Sequence, residues 1–255
     1  MMRKTGTEML GEAEYAWFLL ERIEDSINQI SDYVQVDEMN LKVYSRQMAL
    51  KLYEVGTLVE AMMKRMVNDD VLDSFPNLAD DLCDARGQSE HLPTIRSYRN
   101  VLERVFALSG KTINFRLFTF SRNLQPFASF ASEKDISPEW WDAYNLVKHD
   151  FFLNLSEATF ERLIEGAGAL FLLTVLCRLH WPVLLLHNRL VTGSLREGKL
   201  IEDRIPYDQE KLWKKLYEIF LPHLGITMPD YGAPIEILAR SRLFFSVLAH
   251  WEPRK

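Results

Sequence analysis

Two long runs of apolar residues at helical spacing constrain this chain more than any other feature. Ala13, Ala16, Leu20, Ile23, Ile27 and Ile30 recur at steps of three and four, which places them on one face of a helix over about 7–30. Leu41, Tyr44, Met48, Leu52, Val55, Val59, Met62 and Met66 do the same over 39–66. The link between the runs, 31–38, is short and holds Asp32 and Asp37 as caps, so the two helices should lie antiparallel. The methionines in the second seam read as core filler.

The pattern continues downstream. Ile95, Tyr98, Leu102, Val105 and Leu108 predict a third helix after Pro93, ended by Gly110. Residues 68–93 are turn chemistry with one helical turn near 78–85. The run 112–120 is rich in β-formers and partly alternates, which suits a short strand or hairpin arm, and 121–134 reads as loop. Ser156 caps a buried helix over 157–179, where Gly166 and Gly168 predict close approach of a neighbouring backbone. Residues 193–203 read as a polar turn region. Two tail helices follow, one capped by Asp208 with Trp213, Leu216, Tyr217 and Phe220 inward. The other is opened by Pro234, with Ile235, Leu238, Leu243, Val247, Leu248 and Trp251 inward. The expected fold class is all-α: a helical bundle over 1–190 and a C-terminal helical extension over 191–255 packed on the same core, with one short strand or hairpin near 112–120.

Composition excludes several classes. Hydrophobic residues are 47% and charged residues 26%, as in ordinary water-soluble domains. The net charge of −6 argues against a general polyanion binder. Cys83 and Cys177 are too few for a disulfide framework and suit a reducing cytoplasm, with Cys177 as a small core residue. The acidic N-terminal stretch holds no signal-peptide core, and the most apolar run, 167–186, is broken by Arg178 and His180, so no membrane role is expected.

Charge is nevertheless uneven. Residues 1–91 carry 18 acidic and 9 basic side chains, whereas 92–131 carry Arg96, Arg99, Arg104, Lys111, Arg116 and Arg122 against Glu103 alone. Phenylalanines interleave with these cations, an arrangement that suits single-stranded nucleic acid, with phosphates on Arg96, Arg99, Arg116 and Arg122 and bases stacked on rings. The competing reading makes the rings core and the arginines the outer face of the same elements.

The basic segment leads into Ser137-Pro138-Glu139-Trp140-Trp141, where Ser137 suits an N-cap and Pro138 the first helical position. On the helix that follows, Trp141, Asn145 and His149 are i, i+4 neighbours, with Lys148 beside them and Tyr144 on the adjoining face. An amide, an ammonium and an imidazole on one face can bind or cleave something anionic. They can equally brace a neighbouring loop.

The order of elements and the run Tyr144-Asn145-Leu146-Val147-Lys148-His149 resemble the HEPN superfamily of helical bundles, over roughly 7–180. Many of its members are metal-independent ribonucleases in defence and toxin–antitoxin systems. The family motif is an arginine, often followed by asparagine, with a histidine five positions after the arginine. Asn145 and His149 match, and Tyr144 stands where the arginine belongs. The resemblance implies RNA as substrate or ligand, and a homodimer or protein partner, because the family's sites meet across a dimer. It further implies His149 as general acid or base, Lys148 as the phosphate clamp, and Asn145 and Tyr144 as orienting donors. The missing arginine and the acidic N-terminal part motivate the other reading, a non-catalytic protein-interaction or assembly module.

A literal Arg-x4-His occurs at Arg86 to His91, but in the acidic loop instead of on a helix. The chain has no Walker loop, no dinucleotide fingerprint, no HExxH and no Cys-x-x-Cys, so no cofactor and no metal site are expected.

Overall fold

A computed structural model of the chain describes residues 6–132, 136–187, 189–196, 199–203 and 235–251. Its helices are α1 (Gly6–Ser31), α2 (Arg46–Val67), α3 (Ala79–Ala85), α4 (Ile95–Phe106), α5 (Glu139–His149), α6 (Phe160–Leu176) and α7 (Trp181–Leu186). Its strands are β1 (Ile113–Leu117), β2 (Phe120–Leu124), β3 (Leu190–Arg196), β4 (Lys199–Asp203), β5 (Ile235–Arg240) and β6 (Phe244–Trp251).

The helices begin where side chains can serve the unpaired amides of a first turn. Ser45 accepts from the Met48 amide at 3.2 Å to open α2, and Thr159, not Ser156, accepts from the Arg162 amide at 3.3 Å to open α6. Thr94 and Ser97 form a reciprocal box at the start of α4. That helix ends at Ala107 in the left-handed region (φ 48°), before the Gly110 expected to stop it. The α2 seam is buried from Met48 onward, while Tyr44 lies before the helix and is exposed.

The expected all-α class needs correction: the protein is mainly helical with an antiparallel sheet. Among the described residues, six strands lie in the order β2-β1-β6-β5-β3-β4. The hairpin anticipated near 112–120 is β1–β2, and its second arm takes residues expected to be loop. The final helix expected from Pro234 onward is instead the β5–β6 hairpin over 235–251, and the turn region 193–203 is largely β3 and β4. The helix expected after Asp208 lies outside the described residues. Short apolar runs fit either period. Here the free edge of β1 supplies ladder partners for Phe244 to Ser246, which a local reading does not see.

Helix α6 sits at the centre, between α2 and α5 on one side and the sheet on the other. A β-carbon on Gly166 would lie 3.1 Å from Val55 and 3.3 Å from Trp140. One on Gly168 would lie 3.4 Å from Leu124 and 3.5 Å from Ile113. The close approach expected at these glycines is real, but side chains make it, not backbone. Phe244 joins the layers, stacked on Phe171 of α6 at 5.7 Å and tilted against Phe115 of β1 at 5.5 Å.

Buried polar groups tie α1 to the sheet. The fully buried Glu24 accepts from the Leu243 amide at 3.0 Å and from the Ser241 hydroxyl, both at the β5–β6 turn. Burial pushes its carboxyl above the usual range, and these hydrogen bonds oppose that rise. Beside it Arg242 pairs with Asp25. Both cysteines are unpaired, and the buried Cys177 thiol is pushed up to about 12 by desolvation, as befits a core residue.

Candidate functional site

Helix α5 runs from a buried start to an exposed end. Pro138 is its N-cap residue, and Ser137, the expected cap, bonds the Asp142 carboxylate instead. Trp140 is buried, donates its Nε1 hydrogen to the Pro126 carbonyl at 2.8 Å, and meets Phe127 edge-on. Trp141 packs against Trp140 and Tyr144, with ring centres 5.7 and 5.1 Å away. Both tryptophans are therefore core residues.

Tyr144, at the position of the family's arginine, is only 1% exposed. Its ring lies flush on Gly56 of α2, where a β-carbon would come within 2.2 Å of Cδ2. Its hydroxyl donates to Glu60 Oε2 at 3.4 Å, and Lys148 Nζ lies 3.5 Å from the same oxygen and 5.2 Å from the Tyr144 ring centre. Lys64 holds the other Glu60 oxygen at 2.6 Å. Lys64 first, and Lys148 after it, hold the Glu60 carboxyl below its usual value. Tyr144 and then Glu60 hold the Lys148 ammonium above its own. Asn145 is half-buried, and His149 is exposed in the last turn.

The structure thus joins two of the four predicted catalytic residues, Tyr144 and Lys148, around one carboxylate. Asn145 and His149 belong to the adjacent surface. Glu60 was not identified from the sequence. Its only signal was an i, i+4 pair with Lys64, which is common on solvated helix faces.

The predicted RNA-binding arginines also separate. Arg96 and Arg99 line an open groove of about 390 Å³ with Thr94, Phe130, Ile136 and Ser137, between the start of α4 and the residues that lead into α5. A second hollow of about 340 Å³ shares Arg99 and Phe130 and extends along α4 past Asn100 to Arg104. The acids there have partners: Asp81 pairs with Arg104 at 2.6 Å, and Glu103 accepts from the Ser109 amide and hydroxyl. Arg122 is drawn to Glu161 of α6 at 2.6 Å and lies 3.6 Å from Glu38. Arg116 is exposed on β1, and its amide donates to the Leu243 carbonyl.

Three other features bear on chemistry. Arg86 is a structural staple: it donates to the carbonyls of Val67 (2.7 Å) and Asp69 (3.3 Å) and pairs with Asp73, while His91 is exposed in the following loop. Glu165 on α6 has its carboxyl raised to about 7, first by burial and then by the Glu161 charge, with Arg122 opposing. Among the described residues no His, Cys, Asp or Glu cluster could hold a metal ion, and no helix is long and apolar enough to cross a membrane. Comparison of the chain with protein-family models, with curated proteins and with solved structures finds no match in any of the three.

Proposed function

We propose that this chain is an RNA-directed, HEPN-like protein that binds its RNA without cleaving it, with the groove along α4 as the binding surface. The observation that carries this reading is the convergence of Arg96 and Arg99 on one open groove beside Phe130 and Ile136. Two guanidinium groups there suit phosphates, and the apolar wall suits a base face. Catalysis is a poor match for the far end of α5. Tyr144 is buried where a phosphate-facing cation would be needed, and Glu60 offsets the charge of Lys148. The unpaired cysteines are in keeping with a reducing cytoplasm.

Binding of a labelled single-stranded RNA, followed by anisotropy across a salt series, tests the reading. The Arg96→Glu/Arg99→Glu variant is expected to bind at least about tenfold more weakly and with a shallower salt slope. Unaltered affinity in that variant would sink the assignment. Cleavage of mixed RNA in EDTA by the wild type but not by His149→Ala would overturn the non-catalytic part.

A second reading, docking of a protein partner or a second copy, draws on one observation. The segment after α5 presents Phe152 at 90% and Leu153 at 81% exposure, next to the exposed Leu146. Large apolar side chains grouped this way mark contact surfaces. A Phe152→Asp/Leu153→Asp variant with the same mass in solution as the wild type and the same retained proteins would remove this reading.

A further inference from the structure

A cavity of about 160 Å³ lies between the two long helices. Helix α1 contributes Ala16 and Leu19, α2 contributes Leu58 and Met62, and Leu170 of α6 lies beneath. The small Ala61 stands at the exposed mouth. One edge is polar, where Glu12 pairs with Arg65 at 2.6 Å.

His180 completes the wall. It is 2% exposed, and its Nδ1 lies 3.1 Å from the Thr174 carbonyl. A carbonyl only accepts, so Nδ1 carries the proton and Nε2 presents a lone pair. Nε2 is buried and has no hydrogen-bond partner among the described residues. Thr174 does not supply one, because its hydroxyl donates to the Leu170 carbonyl at 2.8 Å. Burial depresses the imidazole pKa to about 4, so the ring is neutral at physiological pH. An apolar cavity beside an unserved buried acceptor is an unusual pairing, since such acceptors are nearly always satisfied.

The geometry points to a binding site for a small neutral molecule, about one aromatic ring in size. Its apolar body packs on Leu19, Leu58, Met62 and Leu170, and its single O–H or N–H donates to His180 Nε2. The size follows from the volume, since a cavity of roughly 150 Å³ lined by apolar side chains accepts benzene. Neutrality follows from the lining, where Glu12 and Arg65 pair with each other at one edge and the rest of the wall is largely apolar, with little to replace the hydration of a charged body. This site does not depend on the RNA reading.

Phenol and toluene are the probes: similar rings, of which only phenol carries a donor. Both are titrated into the nitrogen-15-labelled full chain, with calorimetry and the His180 ring nitrogens as readouts. Phenol is expected to saturate the site, to bind at least about tenfold more tightly than toluene, and to move the Nε2 resonance. Ala61→Phe, placed at the exposed mouth, should abolish binding of both probes. His180→Phe should reduce phenol to the affinity of toluene. Equal affinities, no saturation, an unmoved Nε2 resonance, or wild-type binding in Ala61→Phe would each overturn the assignment. Should His180→Phe fail to fold, the probe pair and Ala61→Phe still decide.

Discussion

The two ends of α5 use similar chemical groups to opposite effect. The helix has eleven residues, so its ends lie about 15 Å apart along the axis. Toward the C-terminal end Tyr144 is locked into the core on Gly56, and its hydroxyl shares the half-buried Glu60 with the exposed Lys148. At the N-terminal end the cations Arg96 and Arg99 line an open groove beside Phe130 and Ser137. The difference teaches that a cation near a suggestive motif makes a site only where packing leaves room for a ligand. The motif-bearing end carries the resemblance, while the other end has the space.

The largest test acts on the locked end. Gly56→Ala forces a β-carbon into the Tyr144 ring, and the loss should be about 2–3 kcal/mol despite alanine's better helix propensity. Urea unfolding measures it, and a neutral result would mean that Tyr144 moves freely and the contrast between the ends is wrong.

Glu165 probes the side of α5 near Glu139. Its folded-state pKa, about 7, lies above the ordinary glutamate value of 4.5, so its contribution to stability is fully present below about pH 4.5 and is lost as pH rises through 7. Glu165→Gln should therefore gain about 2 kcal/mol over the wild type at pH 8 and nothing at pH 4, read as a pH-dependent difference in unfolding midpoint. The reverse trend would show that the carboxylate is held charged by Arg122.

The open end is sharpened by the paired charge reversal at Arg96 and Arg99, with its loss of at least about tenfold in RNA affinity. Lys148→Met in the same assay should change affinity less than twofold. If the lysine variant lost more than the arginine pair, the roles of the two ends would be exchanged. The smallest effect is on stability: the Lys148–Glu60 pair is partly exposed, so Lys148→Met should stay within about 0.5 kcal/mol of the wild type.

Much of the helical part was legible because its signals are local. Met48, Leu52, Val55 and Val59 lie a turn apart and all bury, and the capping chemistry of Ser45 and Thr94 marks two starts. The candidate site was legible only by residue type. Arg96 and Arg99 share a helix face and line one groove, and Arg122 pairs with Glu161, a residue 39 positions later in the sequence. Tyr144 looked available because nothing in its own helix shows that Gly56 opens a slot for its ring. In the sequence His180 only interrupts an apolar run, and its orphaned acceptor follows from the turn that folds it back onto Thr174.

By itself the sequence determined the long helices, the central apolar α6, the unpaired cysteines and the concentration of positive charge after residue 91. These depend on periodicity, capping and composition, which act over one or two helical turns. Tertiary structure alone decided that the tail residues 235–251 form a hairpin whose second strand pairs with β1, that Glu24 is buried under the β5–β6 turn, and which cations face a groove. A strand is stable only with a partner, and a side chain meets a groove or a core according to what packs across from it. Both conditions join residues that are distant in the chain, so no local pattern records them.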